Sequence, residues 1–367
     1  MSHPLPAPAS ARRHPPGWCS FAPPYLLRDL ADRGSPARRA AAVRGMAVAS
    51  AVRARRATLT SVVQDPLLRG AAQDLSGGTP LGVHDVEHGG TVSLPGQLRR
   101  SRDGGPCDDE AVNGAFDGAA ATCAFFRTVL GRDSLDDDGL ALVSSVHFDR
   151  DLDNAFWNGA QMVYGDGSGD LFQVGSLTAA LEVMAHELTH GVTQYAAGLV
   201  YRRQSGALNE SLSDVFGSLV KQHALGQDAG DADWLIGEGI LGTELRGRAL
   251  RSLAEPGTAY VGDPQPATVD GYVDLPDDDD PRHDDGGVHI NSGIPNHAFY
   301  LFATALGGPA WELPGTIWYD AMTSSLRPCS DFADAASATA AAAGRRCGEG
   351  SAEQRAVQRA WAQVGVV

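Results

Sequence analysis

The segment 186–190, which reads His-Glu-Leu-Thr-His, constrains this chain more than any other. The nine residues before it are good helix formers, Thr178 is a candidate N-cap, and neither Pro nor Gly interrupts the stretch before Gly191. A helix places positions 186 and 190 on one face, with Glu187 about 100° around the axis. Two imidazoles on one face can hold zinc, and a neighbouring carboxylate can act as a base there. The pattern therefore predicts a zinc helix over about residues 177–191.

A third zinc ligand is predicted on a second helix. Glu210 follows His190 by twenty residues, in a stretch whose apolar residues indicate a buried helix, and Asp214 lies one turn later on the same side. Because buried carboxylates need partners, we expect Glu210 to complete a ligand set with His186 and His190. We expect Asp214 to accept the outer N–H of a bound histidine. The alternatives are a core helix with two incidental histidines and a solvated acidic helix face.

Both helices carry motifs that resemble those of the thermolysin family of zinc metalloendopeptidases. The motifs are residues 183–193 and 209–214, and the resemblance extends from about Leu94 to the end of the sequence. Further matching segments occur in the same order, at 154–159, 164–167, 198–201, 250–252 and 286–293. An aminopeptidase with a related zinc signature is the nearest rival. The sequence contains no Gly-x-Met-Glu-Asn segment to capture a free N-terminus, which favours an endopeptidase.

The resemblance implies an α+β fold with two lobes. The N-terminal lobe would be rich in β-strands and the C-terminal lobe mainly α-helical, with the zinc helix between them and a substrate cleft between the lobes. We accordingly divide the chain into a propeptide at 1–66, an N-terminal catalytic lobe with the zinc helix at 67–192, and a helical lobe at 193–367. The propeptide boundary is open between residues 56 and 94.

The resemblance also implies the catalytic roles. Zinc would be bound by the three predicted ligands, and Glu187 would deprotonate the water that attacks the peptide carbonyl. Tyr201 and His289 match the family's donors to the oxyanion, and Asp284 matches the residue that orients His289. Taken one at a time, Tyr201, His289 and also Arg251 could equally be structural. A non-catalytic, zinc-stabilised peptide-binding protein of the same fold is the alternative function, and the presence of Glu187 and His289 argues for catalysis.

Substrate contacts are implied in the same way. Asn154, the Ala155 backbone and Arg251 match the groups that grip the substrate chain, and residues 144–149 resemble the edge strand on which an extended substrate would lie. An apolar pocket would be lined by Phe172, Val183 and Leu250. This pocket predicts cleavage on the amino side of bulky hydrophobic residues.

The N-terminal segment differs from the rest of the chain in charge. Residues 1–66 hold ten Arg and three Asp, a net charge of +7, which leaves −23 for the remainder of a chain whose total is −16. The segment resembles the short propeptide of the protealysin-like branch through its Pro-Pro-aromatic motif, Pro23-Pro24-Tyr25. We expect it to dock on the acidic catalytic body, keep the enzyme inactive and be removed by self-cleavage. The alternative is a disordered basic tail.

Cys19 precedes this motif, and as a thiolate it could occupy the fourth position on zinc in the precursor; an inert buried thiol is the alternative. The remaining cysteines are Cys107, Cys123, Cys329 and Cys347. Their odd total with Cys19 leaves disulfides undecided, although Cys329 and Cys347 could pair.

Lys221 is the single lysine, against 28 arginines. In the family resemblance it aligns with a carboxylate of a paired calcium site whose other members would be Glu182, Asp233 and Glu238. An ammonium among carboxylates can replace a cation by charge pairing, so we expect this calcium site to be weakened or absent. The alternative is a surface lysine without such contacts.

Two other segments imitate metal sites. Residues 84–88 show the reversed His-x-x-Glu-His pattern but stand between glycines, which favours a polar loop or strand over a helix. Residues 277–280 are four consecutive aspartates beside prolines, which favours a solvated loop over a calcium site.

Composition limits the partners. The 43% apolar content is typical of a globular protein, no stretch approaches a membrane span, and the acidic net charge argues against nucleic acid. We expect peptide or protein substrates, the chain's own propeptide as a partner, and a monomer. The first thirty residues contain Pro and Arg where a secretion signal needs a continuous apolar stretch. The family resemblance implies a secreted protein, whereas the sequence alone favours a cytoplasmic one.

Overall fold

The N-terminal lobe is built on a mixed β-sheet. The computed structural model describes residues 20–36, 38–48, 79–278 and 280–367. Five of the described strands form this sheet in the order β2-β1-β3-β5-β4. Their bounds are β1 Leu81–Asp85, β2 Gln97–Ser101, β3 Leu142–Val146, β4 Ala155–Trp157 and β5 Met162–Tyr164. The central pairs β1–β3 and β3–β5 are parallel, and the two outer pairs are antiparallel.

The edge strand was predicted in the wrong place. Residues 144–149 overlap β3, which lies between β1 and β5, so its backbone groups are already paired. The edge beside the zinc helix is β4 instead. Strand order is a property of the chain's path through space, and a local alternation of apolar residues contains no information about it.

A long helix, α2 (Glu110–Leu130), lies in the N-terminal lobe and was not part of the β-rich prediction. Asp109 caps it, because its side chain accepts hydrogen bonds from the backbone N–H groups of Ala111 and Val112. Gly131 ends it in a left-handed conformation, with φ of 70°. The helix buries an apolar face that includes Phe125 and Phe126 against the core that both lobes share.

The two predicted helices are α3 (Leu181–Tyr195) and α4 (Arg203–Leu225). Helix α3 begins later than predicted, because residues 176–178 form a separate 3₁₀ turn and Thr178 does not cap it. It also continues through Gly191. A Cβ atom at this position would lie 2.6 Å from Leu135 Cδ1, so the missing side chain here serves close packing and not helix termination.

The C-terminal lobe is mainly helical, as predicted. A two-stranded ribbon of β6 (Leu235–Ile236) and β7 (Arg251–Ser252) follows α4 and precedes the remaining helices of this lobe. The helices are α5 Asp284–Asn291, α6 Gly293–Leu306, α7 Leu313–Ser324, α8 Phe332–Cys347 and α9 Ala352–Gln363. No helix among the described residues combines the length and apolar content that crossing a membrane requires. The predicted α+β, two-lobed architecture is confirmed.

The described part of the N-terminal segment packs on this body. Helix α1 (Pro24–Arg33) starts at a proline and buries Leu27 and Leu30, and residues 38–48 are helical. Arg38 forms ion pairs with Asp170 at 2.9 Å and with Glu244 at 2.5 Å. A basic residue of the segment thus contacts acidic residues of the body.

Candidate active site

Three predicted ligand atoms meet where α3 crosses α4. His186 Nε2 and His190 Nε2 are 3.1 Å apart, and the two oxygens of Glu210 lie 3.5 and 3.4 Å from them respectively. All three side chains are buried. A tetrahedral zinc ion with bonds of about 2.0–2.1 Å has ligand atoms about 3.3 Å apart. The spacing of these donors therefore fits zinc.

The surroundings of the two imidazoles support this fit. His186 Nδ1 lies 2.8 Å from Asp214 Oδ1, as predicted, and His190 Nδ1 lies 2.8 Å from Asn209 Oδ1. Because these oxygens accept hydrogen bonds, each Nδ1 carries the proton and each Nε2 directs a lone pair at the other ring. Two lone pairs at 3.1 Å repel each other unless a cation lies between them. The donor set is thus that of a metal site.

Glu187 lies beside these ligands and is completely buried. Its Oε2 accepts the backbone N–H of Trp157 at 3.0 Å, and its Oε1 has no hydrogen-bond partner among the described residues. Burial, followed by the negative charge of Glu210, raises the pKa of the Glu187 carboxyl well above its usual range. One oxygen is therefore fixed by β4, while the other is available to a reacting group.

The donor atoms of His186, Glu187 and His190 also lie within 4.8 Å of one another, so Glu187 and Glu210 flank the two imidazoles. The segment 84–88 lies at the end of β1 and in the turn after it, which confirms the prediction of a loop or strand. Of the aspartates at 277–280, Asp277 pairs with Arg202 and Asp280 with Arg282.

His289, Asp284 and Tyr201 converge on the same centre. His289 Nδ1 lies 2.6 Å from Asp284 Oδ1, and Asp284 Oδ2 accepts the backbone N–H of His289 at 2.8 Å. The Tyr201 hydroxyl lies 3.2 Å from His289 Nε2 and donates to Glu210. Burial alone would lower the pKa of His289, but the charges of Glu210 and Asp284 outweigh it and raise that pKa to about 9. The ring is held as a donor that faces the ligands.

Arg251 and Asp214 form a buried ion pair behind the ligands. Arg251 Nε donates to Asp214 Oδ2 and its Nη2 to Asp214 Oδ1, both at 2.8 Å, and Asn296 Nδ2 donates to Oδ2 at 2.9 Å. Burial opposes ionisation of Asp214, but Arg251 and His186 outweigh it and hold its pKa below the usual range. Asp214 therefore orients both His186 and Arg251.

The N-terminal segment lies in the cleft beside these residues. The backbone N–H of Phe21 donates to Ala155 O and that of Ala22 to Asn154 Oδ1, both at 3.0 Å. His289 Nε2 lies 2.9 Å from Ser20 O. The predicted substrate-binding residues Asn154 and Ala155 thus contact a peptide, which is part of the chain itself.

Phe21 fills an apolar pocket next to the metal ligands. The centre of the Phe21 ring is 5.7 Å from the ring centres of Phe172 and His186. The Arg251 guanidinium carbon lies 5.1 Å from the centre of the Phe21 ring. Phe21 is completely buried in the same apolar cluster as the predicted pocket residues Phe172, Val183 and Leu250.

The predicted inhibitory residues lie to one side of this contact. Pro23 stands at the N-cap position of α1 without a capping hydrogen bond, Pro24 is the first residue of the helix, and the Tyr25 hydroxyl is 3.4 Å from that of Tyr260. Cys19 lies outside the described residues. The other four cysteines are free thiols, so Cys329 and Cys347 do not pair in this structure.

Lys221 lies where the resemblance implied, at some distance from the zinc ligands. Its Nζ is 2.7 Å from Asp233 Oδ2 and 3.8 Å from both Glu182 Oε1 and Glu238 Oε2. Burial disfavours the ammonium, but Glu182 and Asp233 outweigh that effect and raise the pKa of Lys221.

Some functional contacts were missed at the level of sequence. The motif at 209–214 includes Asn209 but assigns it no role, and no sequence motif singles out Phe21. Asn296, which supports Asp214, has no local signal at all. Only the asparagine directly before Glu210 could have been found, because helical spacing turns it towards His190 when Glu210 faces the metal.

Comparisons with known proteins agree with this geometry. A family model described as the thermolysin metallopeptidase catalytic domain matches residues 79–194, and one described as the thermolysin metallopeptidase alpha-helical domain matches residues 197–366. An extracellular metalloprotease of Pectobacterium carotovorum subsp. carotovorum is 44% identical over 354 residues, which cover 95% of this chain and 96% of that protein.

Thermolysin of Alicyclobacillus acidocaldarius subsp. acidocaldarius is 38% identical over 304 residues, or 80% of this chain and 52% of that protein. The chain thus spans about half the length of this relative. The solved structure of the precursor of protealysin, a metalloproteinase from Serratia proteamaculans, aligns with a TM-score of 0.82 and 43% identity, covering 95% of this chain and 100% of that chain. From the two converging helices, the matched domains and these relatives, we conclude that the chain belongs to the thermolysin family of zinc metalloendopeptidases.

Proposed function

We propose that this endopeptidase cleaves peptide bonds on the amino side of bulky hydrophobic residues and is made as a zymogen that processes itself. The burial of Phe21 in a pocket beside His186 carries the proposal. A large apolar side chain fits there, and its own backbone N–H is bound to Ala155 O. A substrate held in the same way would present the bond before its hydrophobic residue to the zinc ligands.

The proposed roles of the chain's residues follow from their geometry. His186, His190 and Glu210 would hold the zinc ion, which would supply a Lewis acid and lower the pKa of a water molecule towards neutrality. Glu187 Oε1, the oxygen without a hydrogen-bond partner among the described residues, takes a proton from the attacking water and passes it to the departing amide nitrogen. The Trp157 N–H holds the other oxygen, so the carboxylate keeps its orientation during both transfers.

Tyr201 and His289 donate hydrogen bonds to the oxygen of the substrate carbonyl as negative charge develops on it. Asp284 fixes the His289 ring through Nδ1, which leaves Nε2 as the donor. Removing one donor of this kind typically lowers kcat about 10²–10³-fold. Asn154 and Ala155 bind the substrate backbone at the free edge of β4, and Arg251 closes the pocket.

The zymogen proposal rests on charge and on the contacts of the N-terminal segment. Residues 20–22 lie over the zinc ligands, and Arg38 pairs with Asp170 and Glu244 of the acidic body. We assign 1–66 as the propeptide, with its boundary open between residues 56 and 94, followed by the two lobes at 67–192 and 193–367. Secretion belongs to the same proposal, because the Pectobacterium relative is an extracellular metalloprotease.

Product mapping tests the specificity. Purified enzyme, freed of its propeptide, is incubated with denatured casein, and the new N-termini are identified by mass spectrometry. We expect Phe, Leu, Ile and Val to dominate, and a chelator or Glu187→Ala to abolish the products. New N-termini that are mainly charged or small residues would contradict the proposed pocket.

Processing is tested separately. A full-length Glu187→Ala chain is mixed with a catalytic amount of active enzyme, and its mass is followed over time. We expect the Glu187→Ala chain alone to stay intact and the mixture to lose a fragment ending between residues 56 and 94. A chain that remains full length in the mixture would argue against self-processing, while leaving the specificity result untouched.

A further inference from the structure

We propose that the chain cuts its own N-terminal segment between Ser20 and Phe21, so that the segment is a bound substrate and not an inert plug. The inference deepens the proposed function and rests on it. It concerns a bond well before the maturation region at 56–94, and it assigns the segment a direction and a register in the cleft.

The carbonyl before Phe21 lies at the reacting centre. Ser20 O is 2.9 Å from His289 Nε2, and this nitrogen is 3.6 Å from Glu210 Oε2, an oxygen of the third zinc ligand. The Ser20 side chain is fixed as well, because Asn154 Nδ2 donates to its hydroxyl at 2.5 Å and the hydroxyl donates to Ala22 O at 3.0 Å. Ser20 is 1% exposed, so bulk water does not compete for these contacts.

The residue after that carbonyl occupies the specificity pocket. The Phe21 ring lies among Phe172, His186 and Arg251, and the backbone N–H groups of Phe21 and Ala22 bind Ala155 and Asn154. The contact of Phe21 with Ala155 O joins backbone to backbone, as in a strand added at a sheet edge, and the contact of Ala22 is with the Asn154 side chain. With the carbonyl at His289 and the ring in the pocket, the Ser20–Phe21 bond spans the catalytic residues in the register of a scissile bond.

The chemistry is ordinary hydrolysis with water as the co-reactant. The water oxygen bonds to the Ser20 carbonyl carbon, and the bond from this carbon to the Phe21 nitrogen breaks. Glu187 carries the two water protons in turn to that nitrogen, which leaves as an α-ammonium group, and Ser20 becomes a carboxylate. Atoms and charges balance without an oxidant or any further reactant.

The same anchors make release slow. Phe21 and Ala22 are completely buried, α1 begins at the second of the two prolines, and Arg38 pairs with two carboxylates of the body. The new amine end therefore stays in the cleft after cleavage. A bound product of this kind blocks other substrates, so the segment inhibits while being a substrate.

The experiment follows the full-length, zinc-loaded chain by intact mass and N-terminal sequencing. We expect a new N-terminus at Phe21, formed at a rate independent of protein concentration, because the bond lies in the chain's own cleft. Glu187→Ala should not form it. Cleavage at this bond whose rate rises with protein concentration, or no cleavage there by a chain that does cut casein, overturns the inference. A chain that cuts neither overturns the proposed function as well.

Variants separate register from folding. Phe21→Leu should keep the cut, whereas Phe21→Asp should slow it on the order of 100-fold, because the pocket would have to bury a charge. Val43→Asp is the control, since Val43 belongs to the same segment and is 54% exposed. Equal rates for Phe21→Asp and wild type would overturn the inference.

Phe21→Asp could slow cleavage only because the segment leaves the cleft, so the register needs a second test that keeps Phe21. Hydrogen exchange in Glu187→Ala provides it. Amide hydrogen exchange should show Phe21 and Ala22 protected in Glu187→Ala, because both N–H groups are bonded inside the cleft. Rapid exchange at both positions would overturn the assigned register. A peptide covering residues 17–26 with Cys19→Ser provides a test in trans, and mature enzyme should cut it between Ser20 and Phe21; an uncut peptide would count against the register.

Discussion

Lys221 shows how one side chain can take the place of an ion. Its ammonium lies among Glu182, Asp233 and Glu238, which the sequence resemblance had grouped as members of a calcium site. Three carboxylates this close repel one another unless a positive charge is present. We propose that Lys221 supplies that charge, so that stability does not depend on calcium at this position.

Lys221 therefore gives a prediction about calcium. In a Glu187→Ala background, which prevents autolysis, we expect Lys221→Met to lower the free energy of unfolding by about 1–3 kcal/mol. Lys221→Glu should lose similar stability without calcium and regain it when calcium is added. Urea unfolding with and without calcium measures both, and Arg248→Met, an exposed partner of Glu238, is the control. If Lys221→Met were as stable as the parent chain, Lys221 would not be the stabilising charge among these carboxylates.

His147 gives a prediction about pH. Its Nδ1 lies 2.8 Å from Asp166 Oδ1 and its Nε2 3.0 Å from Asp109 Oδ2, and His88 Nδ1 lies 3.6 Å from Asp166 Oδ2. The hydrogen bonds to the two carboxylates, that of Asp166 first, raise the pKa of His147 from 6.5 to about 9, although burial opposes them. A raised pKa means that the stabilisation is complete below about pH 6.5 and is lost as the pH rises through about 9.

We accordingly expect His147→Asn, again with Glu187→Ala, to lower the free energy of unfolding by about 1–2 kcal/mol at pH 6 and by much less at pH 10. Asparagine suits the backbone there, where φ is 54°. Urea unfolding across this range is the measurement, with His283→Asn, in an exposed loop contact with Asp278, as the control. A difference that is constant with pH would contradict the proposed ion pairs.

At the scale of elements, the crossing of α3 and α4 sets the positions of the metal ligands. Gly217 lies at this crossing, and a Cβ atom there would be 2.6 Å from Glu182 O and 3.4 Å from His186 Cβ. The oxygen belongs to the backbone of α3, so it cannot rotate away. The two helices can approach closely enough for Glu210 to reach His186 only because position 217 has no side chain.

Gly217→Ala should therefore separate the helices. Although alanine favours a helix by about 1 kcal/mol over glycine, the overlap should cost more, with a net loss of about 1–3 kcal/mol of stability. We also expect zinc affinity to fall at least tenfold, because Glu210 moves away from the imidazoles. Competition with a chromogenic chelator measures this, and Gly230→Ala, where a Cβ meets no atom within 4 Å, is the control. Wild-type affinity in Gly217→Ala would refute this account of the crossing.

The sequence predicted elements where the information was local. Helical spacing was enough to bring His186 and His190 to one face and to pair Glu210 with Asp214. It was not enough to find that Asn209 binds His190, because that contact joins two helices. The edge strand was misplaced for the same reason, since the neighbours of β3 are set by the path of the whole chain. Gly191 suggested a helix end, but the tertiary contact with Leu135 explains it.

At the scale of the whole molecule, opposite charges help to hold the N-terminal segment on the catalytic body. Arg38 is the segment residue that pairs with both Asp170 and Glu244. We expect Arg38→Glu to weaken the docking and to raise the initial peptidase activity of freshly purified full-length chain several-fold, with a larger effect at low salt. Arg33→Glu is the control, because Arg33 pairs only with Asp29 of its own helix among the described contacts. Equal activity of the two variants would refute the role of this charge contact.

The most direct test of the account compares zinc content with catalysis in one variant, Glu187→Gln. Glutamine keeps the shape of the side chain but cannot accept a proton from water, and Glu187 is not among the three proposed ligands. We predict one zinc per chain by elemental analysis in both wild type and variant, with peptide hydrolysis lost in Glu187→Gln by at least a factor of about 10³. A folded wild-type chain without zinc would contradict the proposed metal site. A zinc-loaded Glu187→Gln chain that cleaves peptides at the wild-type rate would contradict the proposed role of Glu187.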